Sequence, residues 1–175
     1  MRSFLPALGA SLLLLATAAA ADPKPAAPNP NIDMEGYLKI AAEAAKYRET
    51  RRLSEDDFLK MSREPGVIVL DARSKQMYDR LHVRGAVNLS FPNIDVESLK
   101  KTLPDKDARI LIYCNNNFSG APEVFATKAP RASLNLSTYI ALYGYGYRNV
   151  YELGPQVNVK DSKLPWAGTD APKGK

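Results

Sequence analysis

One thiol is the natural starting point for chemistry in this chain. Cys114 is the only cysteine, and Asn115-Asn116-Asn117-Phe118-Ser119-Gly120 follows it directly. Three successive Asn residues suit neither a helix interior nor a strand. Asn tolerates left-handed backbone and bonds to its own neighbours, so the segment predicts a tight turn. A turn curled over a strand end aims successive amides inward, and such a nest binds an anion or favours a thiolate. Cys114 is therefore the candidate nucleophile, with Asn115, Asn116, Asn117, Phe118, Ser119 and Gly120 as its candidate binding loop. The plainer alternatives are a buried inert thiol, a solvated Asn loop, and Ser119 as a helix cap. With one cysteine no intrachain disulfide can form.

Other polar residues read as structural. His82 is the only histidine; it is expected to hydrogen-bond within the fold, with Asp71 as partner. Asp71 and Arg73 are expected to form a structural pair. One Cys and one His at no recognisable spacing make no metal site, and no cofactor is expected. Lys128 and Arg131 are candidates to bring positive charge to the uncharged cysteine loop. Tyr139, Tyr143, Tyr145, Tyr147 and Tyr151 cluster, as core packing or as an aromatic wall near a pocket.

The elements that must hold these residues follow from periodicity. Residues 33–48 predict an amphipathic helix with Asp33 as N-cap and an inward row of Met34, Leu38, Ala41, Ala45 and Arg48, with Tyr37 and Ala44 beside it. Ser54 with Asp57 three residues on starts a second helix, stopped by Pro65-Gly66. Apolar runs at 67–70, 86–89, 110–113 and 150–153 predict short strands. Helices are expected at 75–81, 96–102 and 137–143. Alternating strands and helices imply right-handed crossovers and a parallel sheet, so the fold class is α/β. Sites in such sheets lie beyond the carboxyl ends of strands, where Asp71 and Cys114 fall.

The termini read differently. Arg2, the apolar run 4–17 and the small residues 18–21 predict a signal peptide over 1–21, cleaved before Asp22. Residues 22–32, rich in Pro, read as a disordered linker and 168–175 as a flexible tail. Cleavage leaves 154 residues, enough for one core. The expected division is a helical extension over 33–52 and a main domain over 53–167, exported to a periplasmic or extracellular space with no stable membrane insertion. The formal charge is +5, about +4 without Arg2. The basic residues are scattered, which mildly favours small anions and gives no nucleic-acid stripe.

Four segments in order resemble the rhodanese family. Val67-Ile-Val-Leu-Asp-Ala-Arg73 is similar to its first-strand motif. Leu81-His-Val-Arg-Gly-Ala-Val-Asn-Leu89 is similar to its His-Ile-x-Gly-Ala-x-Asn element. The segment 110–114 resembles the strand entering its active loop, and Gly146-Tyr-Arg-Asn-Val-Tyr-Glu-Leu153 its final strand. The resemblance implies a compact α/β domain with a central parallel sheet, and Cys114 as nucleophile and sulfur carrier. Amides of 115–120 would stabilise a persulfide. The partners implied are a small sulfur-containing anion and a thiol or cyanide-like acceptor; no protein partner is specified. Three departures stand out: the loop has no Arg or Lys, 121–132 is an apparent insertion able to cover the pocket, and the closing Gly-Gly is Gly154-Pro155. They keep open a noncatalytic binding module. A related phosphatase needs Cys-x5-Arg to clamp phosphate, and position 120 is Gly.

Overall fold

The computed structural model describes residues 26–172. It divides into two units, one ending at Ile32 and the other starting at Asp33. In the first, the described residues are exposed and close a turn in which Ile32 N–H donates to the Asn29 carbonyl at 3.0 Å. The expected signal segment, 1–21, lies outside the described residues. Among the described residues no helix is long and apolar enough to cross a membrane.

The second unit opens with α1 (Met34–Glu49), whose first turn is capped by the Asp33 carboxylate accepting from Gly36 N–H at 2.8 Å. Its inward face is rotated from the expected one. Ile40, Ala41, Ala44 and Arg48 turn in, while Met34, Leu38 and Ala45 stay in water. The winning row, 40–44–48, places small Ala44 at the closest approach and lets Arg48 reach Glu152.

Then come β1 (Arg52–Leu53), α2 (Glu55–Met61), β2 (Ile68–Asp71), α3 (Lys75–Arg80), β3 (His82–Val83), β4 (Val87–Asn88) and α4 (Val96–Thr102). β5 (Ile110–Tyr113), β6 (Phe118–Ser119), α5 (Leu134–Gly144), β7 (Val150–Leu153), β8 (Val157–Asn158) and β9 (Trp166–Ala167) complete the chain. The main sheet is parallel with order β1-β7-β5-β2-β4. β5 lies at its centre and is buried along its whole length, which is why its sequence is an unbroken apolar run. Alternation splits its side chains between two cores. Leu111 and Tyr113 join Phe58, Phe118, Phe125 and Trp166; Ile110 and Ile112 join Ala44, Leu99, Tyr139 and Leu142. Fully burying residues such as Leu111 or Phe118 contributes about 1.5–3 kcal/mol each.

The longer strands and α4 lie where periodicity put them. α5 starts at Leu134, three residues before the expected start. The two-residue pairs β3–β9 and β6–β8 are too short to show a period. The start of the expected tail is tied down: Thr169 and Asp170 N–H donate to the Asp79 and Arg80 carbonyls, and Asp170 pairs with Arg80.

One polar cluster holds the carboxyl ends of β2 and β5. Asp71 and Arg73 are both buried, and the guanidinium meets the carboxylate at 2.6–3.2 Å. Arg73 also donates to the Leu81 and Val124 carbonyls. Tyr113 OH donates to Asp71 at 2.7 Å and accepts from Val83 N–H at 3.1 Å. The structural pair is as expected, but His82 is not part of it. Its Nδ1 meets the Tyr78 carbonyl at 2.6 Å and its ring stacks on Tyr78 at 3.8 Å, because the short β3 turns it away from Asp71.

Burial, and then the negative Asp71 beside it, hold the Tyr113 hydroxyl well above its ordinary 10.0. The folded form therefore keeps a proton that the unfolded chain loses near pH 10, so this contribution is full below that pH and lost as pH rises. Tyr113→Phe is expected to lower unfolding free energy by about 1–3 kcal/mol at neutral pH and to flatten the alkaline decline. Urea unfolding of both proteins across the alkaline range measures this, and parallel declines would contradict it.

Candidate functional site

Cys114 follows the last residue of β5 with extended backbone. Alternation puts it on the face of Ile112, whose register partner on β7 is Glu152. Thiol and carboxylate thus share the sheet face on which Ile112 packs with residues of α1 and α5.

The Asn run forms a single 3-10 turn, Asn115–Asn117. Asn117 closes it. Its Oδ1 accepts from Cys114 N–H at 2.9 Å and from Asn135 Nδ2 at 3.1 Å. Its Nδ2 donates to the Leu153 and Pro155 carbonyls. Asn116 points the other way, and its amide exchanges two hydrogen bonds with the backbone of Lys128 at 2.8 and 3.0 Å. Asn115 is buried beside a separate cleft with Arg73, Ser74 and Phe91.

The expected cradle over 115–120 is therefore shorter than the sequence suggested. Phe118 and Ser119 leave the turn as β6, paired with Val157 and Asn158. Phe118 is fully buried against Tyr113, Phe125 and Trp166. Gly120, at φ +81°, turns the chain out of β6 where a Cβ would strike Asn158. Of the six loop residues, Asn116 and Asn117 share a cavity with Cys114.

That cavity, about 350 Å³, is also walled by Ser133, Asn135, Leu136, Pro130, Arg48 and Glu152. Cys114 is 1% exposed, and its Sγ lies 3.5 Å from Ser133 Oγ. Ser133 occupies the position before α5 where a hydroxyl usually caps the helix, yet it makes no such bond. Its hydroxyl meets the sulfur instead, and the positive end of the helix dipole lies beside it.

The charge in the cavity comes from an unexpected place. Lys128 and Arg131 are exposed, Lys128 borders the Arg73 cleft, and neither lines the thiol cavity. Segment 121–132 is anchored by buried Val124 and Phe125, so its cations are carried outward. Arg48 of α1 supplies the guanidinium, paired with buried Glu152 at 2.6 Å; Arg52 meets the same oxygen at 3.3 Å. Glu152 Oε2, Asn135 Oδ1 and Arg48 Nε are buried without a hydrogen-bond partner. Of the tyrosine cluster, none lines this cavity. A larger groove of about 500 Å³, lined by Tyr37, Ile40, Phe91 and Ile140 among others, holds neither the cysteine nor a charged side chain. Among the described residues no cluster suited to a metal ion occurs.

Sequence reasoning missed Ser133, Asn135, Arg48 and Glu152. Ser133 carried a local signal, a Ser just before an apolar run; the expected start at 137 passed over it. Arg48 and Glu152 are brought to the thiol by topology alone.

The sheet order, the strand-end cysteine and its turn set the frame for comparison. A family model for the rhodanese-like domain matches residues 54–154. The chain belongs to the rhodanese-like domain family. A rhodanese-like fold is also seen in solved structures. A Bacillus halodurans protein shares 21% identity over 84% of this chain and 92% of its own, with a TM-score of 0.50. An E. coli rhodanese with anions shares 23% identity over 58% and 98%, with a TM-score of 0.40. A thiosulfate sulfurtransferase from Pseudomonas aeruginosa shares 16% over 75% and 19%, with a TM-score of 0.43. At 21% identity the likeness to the Bacillus halodurans protein is one of fold. No curated protein matches the chain.

Ser133→Ala is expected to slow alkylation of Cys114 by a small uncharged reagent at neutral pH about fivefold, the effect of one hydrogen bond to the attacking sulfur. An unchanged rate would show that the hydroxyl does not act on the sulfur.

Proposed function

We propose that this protein is a sulfane-sulfur transferase that forms a persulfide on Cys114 and passes it to a thiophilic acceptor. The observation that carries the reading is the thiol itself, at the carboxyl end of the central strand, on a polar cavity and faced by Ser133 Oγ at 3.5 Å. In the first half-reaction the Cys114 thiolate attacks the outer sulfur of a donor. A new S–S bond forms, the donor's S–S bond breaks, and its electron pair leaves with the rest of the donor. In the second, an acceptor attacks the outer sulfur and the electron pair returns to Sγ. Ser133 Oγ, at 3.5 Å, is positioned to donate to Sγ when Sγ carries the charge, before the first transfer and after the second. Asn117 keeps Cys114 aimed through its bonds to both strand ends. The apolar run and small residues of 1–21 support export, and with it a reaction in a periplasmic or extracellular space.

The cavity also bears on the donor. Its one guanidinium is already engaged by Glu152, so a dianion such as thiosulfate finds no free cation there. Inorganic polysulfide, whose double charge is spread along a longer sulfur chain, fits better. The near-complete cover over Cys114 favours a second reading, a noncatalytic binding module in which the turn is structural.

Intact-mass measurement after polysulfide treatment is expected to show one added sulfur atom, lost on adding cyanide and absent in Cys114→Ser. Thiosulfate is expected to load the protein more slowly. A protein that acquires no sulfur from either donor, and in which Cys114→Ser is functionally silent, would leave the binding-module reading in its place.

A further inference from the structure

We infer that the sulfur acceptor enters the Cys114 cavity by a protonated amine, held by Glu152 and Asn135, so that the acceptor is an aminothiol of the cysteamine or cysteine class. This deepens the sulfur-transfer reading and rests on it.

The hydrogen bonds around the cavity leave little choice. Asn117 spends its oxygen on Cys114 and Asn135 and its nitrogen on two carbonyls. Asn116 spends both ends of its amide on Lys128, and Ser133 meets the sulfur. Two acceptors remain. Glu152 Oε2 and Asn135 Oδ1 have no partner, although Glu152 is 1% exposed and Asn135 6%. Buried polar atoms of this kind are normally satisfied. Both residues line the cavity that holds Cys114.

The free atoms select the chemistry. Arg48 Nε is unpartnered too, but Glu152 Oε1 already holds the guanidiniums of both Arg48 and Arg52, and an anion would have to compete with that carboxylate. A primary ammonium has three donors and no acceptor. Two unpartnered acceptors on one cavity, one of them a carboxylate oxygen, suit such a group. An alcohol brings one donor and no charge, and a carboxylate brings only more acceptors.

Position fits as well. Cys114 lies two residues beyond Ile112, the register partner of Glu152, which is roughly 7 Å along the sheet on one face. An acceptor anchored by its amine at Glu152 therefore directs a thiol on the next carbons toward Cys114. Its thiolate attacks the outer sulfur of the Cys114 persulfide. The bond between the two persulfide sulfurs breaks, the electron pair passes to Sγ, and the proton stays on the transferred sulfur. The products are an aminothiol persulfide and the Cys114 thiolate.

The test uses protein loaded by polysulfide and three matched acceptors: cysteamine, mercaptoethanol and mercaptopropionate. Cysteamine is expected to unload Cys114 at least about tenfold faster than mercaptoethanol at equal thiolate concentration, with mercaptopropionate slowest. In Glu152→Gln and in Asn135→Ala the cysteamine-to-mercaptoethanol ratio is expected to fall toward one; a ratio is unaffected by any general loss of rate. Asn135→Ala leaves the Arg48–Glu152 pair intact, so it stays informative if Glu152→Gln does not fold. A wild-type ratio near one, or a ratio that survives in a folded variant, overturns the inference. Calorimetric binding of S-methylcysteamine to Cys114→Ser protein gives a readout that needs no persulfide. Binding that Asn135→Ala weakens supports amine recognition, and no binding counts against it. Failure of loading with retained amine binding would sink the sulfur-transfer reading alone.

Discussion

The buried pair of Asp71 and Arg73 is the interaction on which the rest of this fold depends. Removing two charges from water is costly, and it is offset only when every donor and acceptor around them is satisfied. Arg73 achieves this with a planar set of donors that a lysine lacks, reaching Asp71, the Leu81 carbonyl and the Val124 carbonyl together. Tyr113 adds its hydroxyl, and Asn88 Nδ2 bonds the carbonyls of both Asp71 and Arg73. Chain segments leaving the carboxyl edge of the sheet are thus fastened to one cluster. Cys114 is the residue after Tyr113, so its backbone is fixed by a network that never touches the sulfur.

Much of this frame was legible in the sequence because it rests on local pattern. Buried parallel strands must be continuous apolar runs, so 110–113 and 150–153 announce themselves. Ser54 and Asp33 mark their helices through bonds to residues three positions on. What stayed hidden depends on partners distant in sequence. Phe118 and Ser119 look like the rest of a loop, but β8 pulls them straight, and only Val157 and Asn158 explain it. The inward face of α1 depends on which row meets α5, and the apolar Met34 and Leu38 misdirect the periodicity by standing in water.

The site divides in the same way. A thiol at a strand end followed by an Asn turn is a local fact, and both the position and the turn are present. The residues that give the cavity its character come from α1, the start of α5 and β7. They lie up to 66 residues before Cys114 and 38 after it in number alone, and converge because α1 packs beside α5 over the sheet. A reading confined to the loop therefore finds the nucleophile and misses the groups that face it. It also assigns the positive charge to segment 121–132, whose buried Val124 and Phe125 turn Lys128 and Arg131 outward.

Arg48 belongs to a helix that lies ahead of the span matched by the family, residues 54–154. The thiol comes from the shared scaffold, and one wall of its chamber comes from an accessory piece. Such a division lets the two parts diverge at different rates. The scaffold is held by its own core and polar cluster, while the accessory helix is free to exchange the side chain it presents, re-tailoring the chamber without disturbing the strand that carries the sulfur.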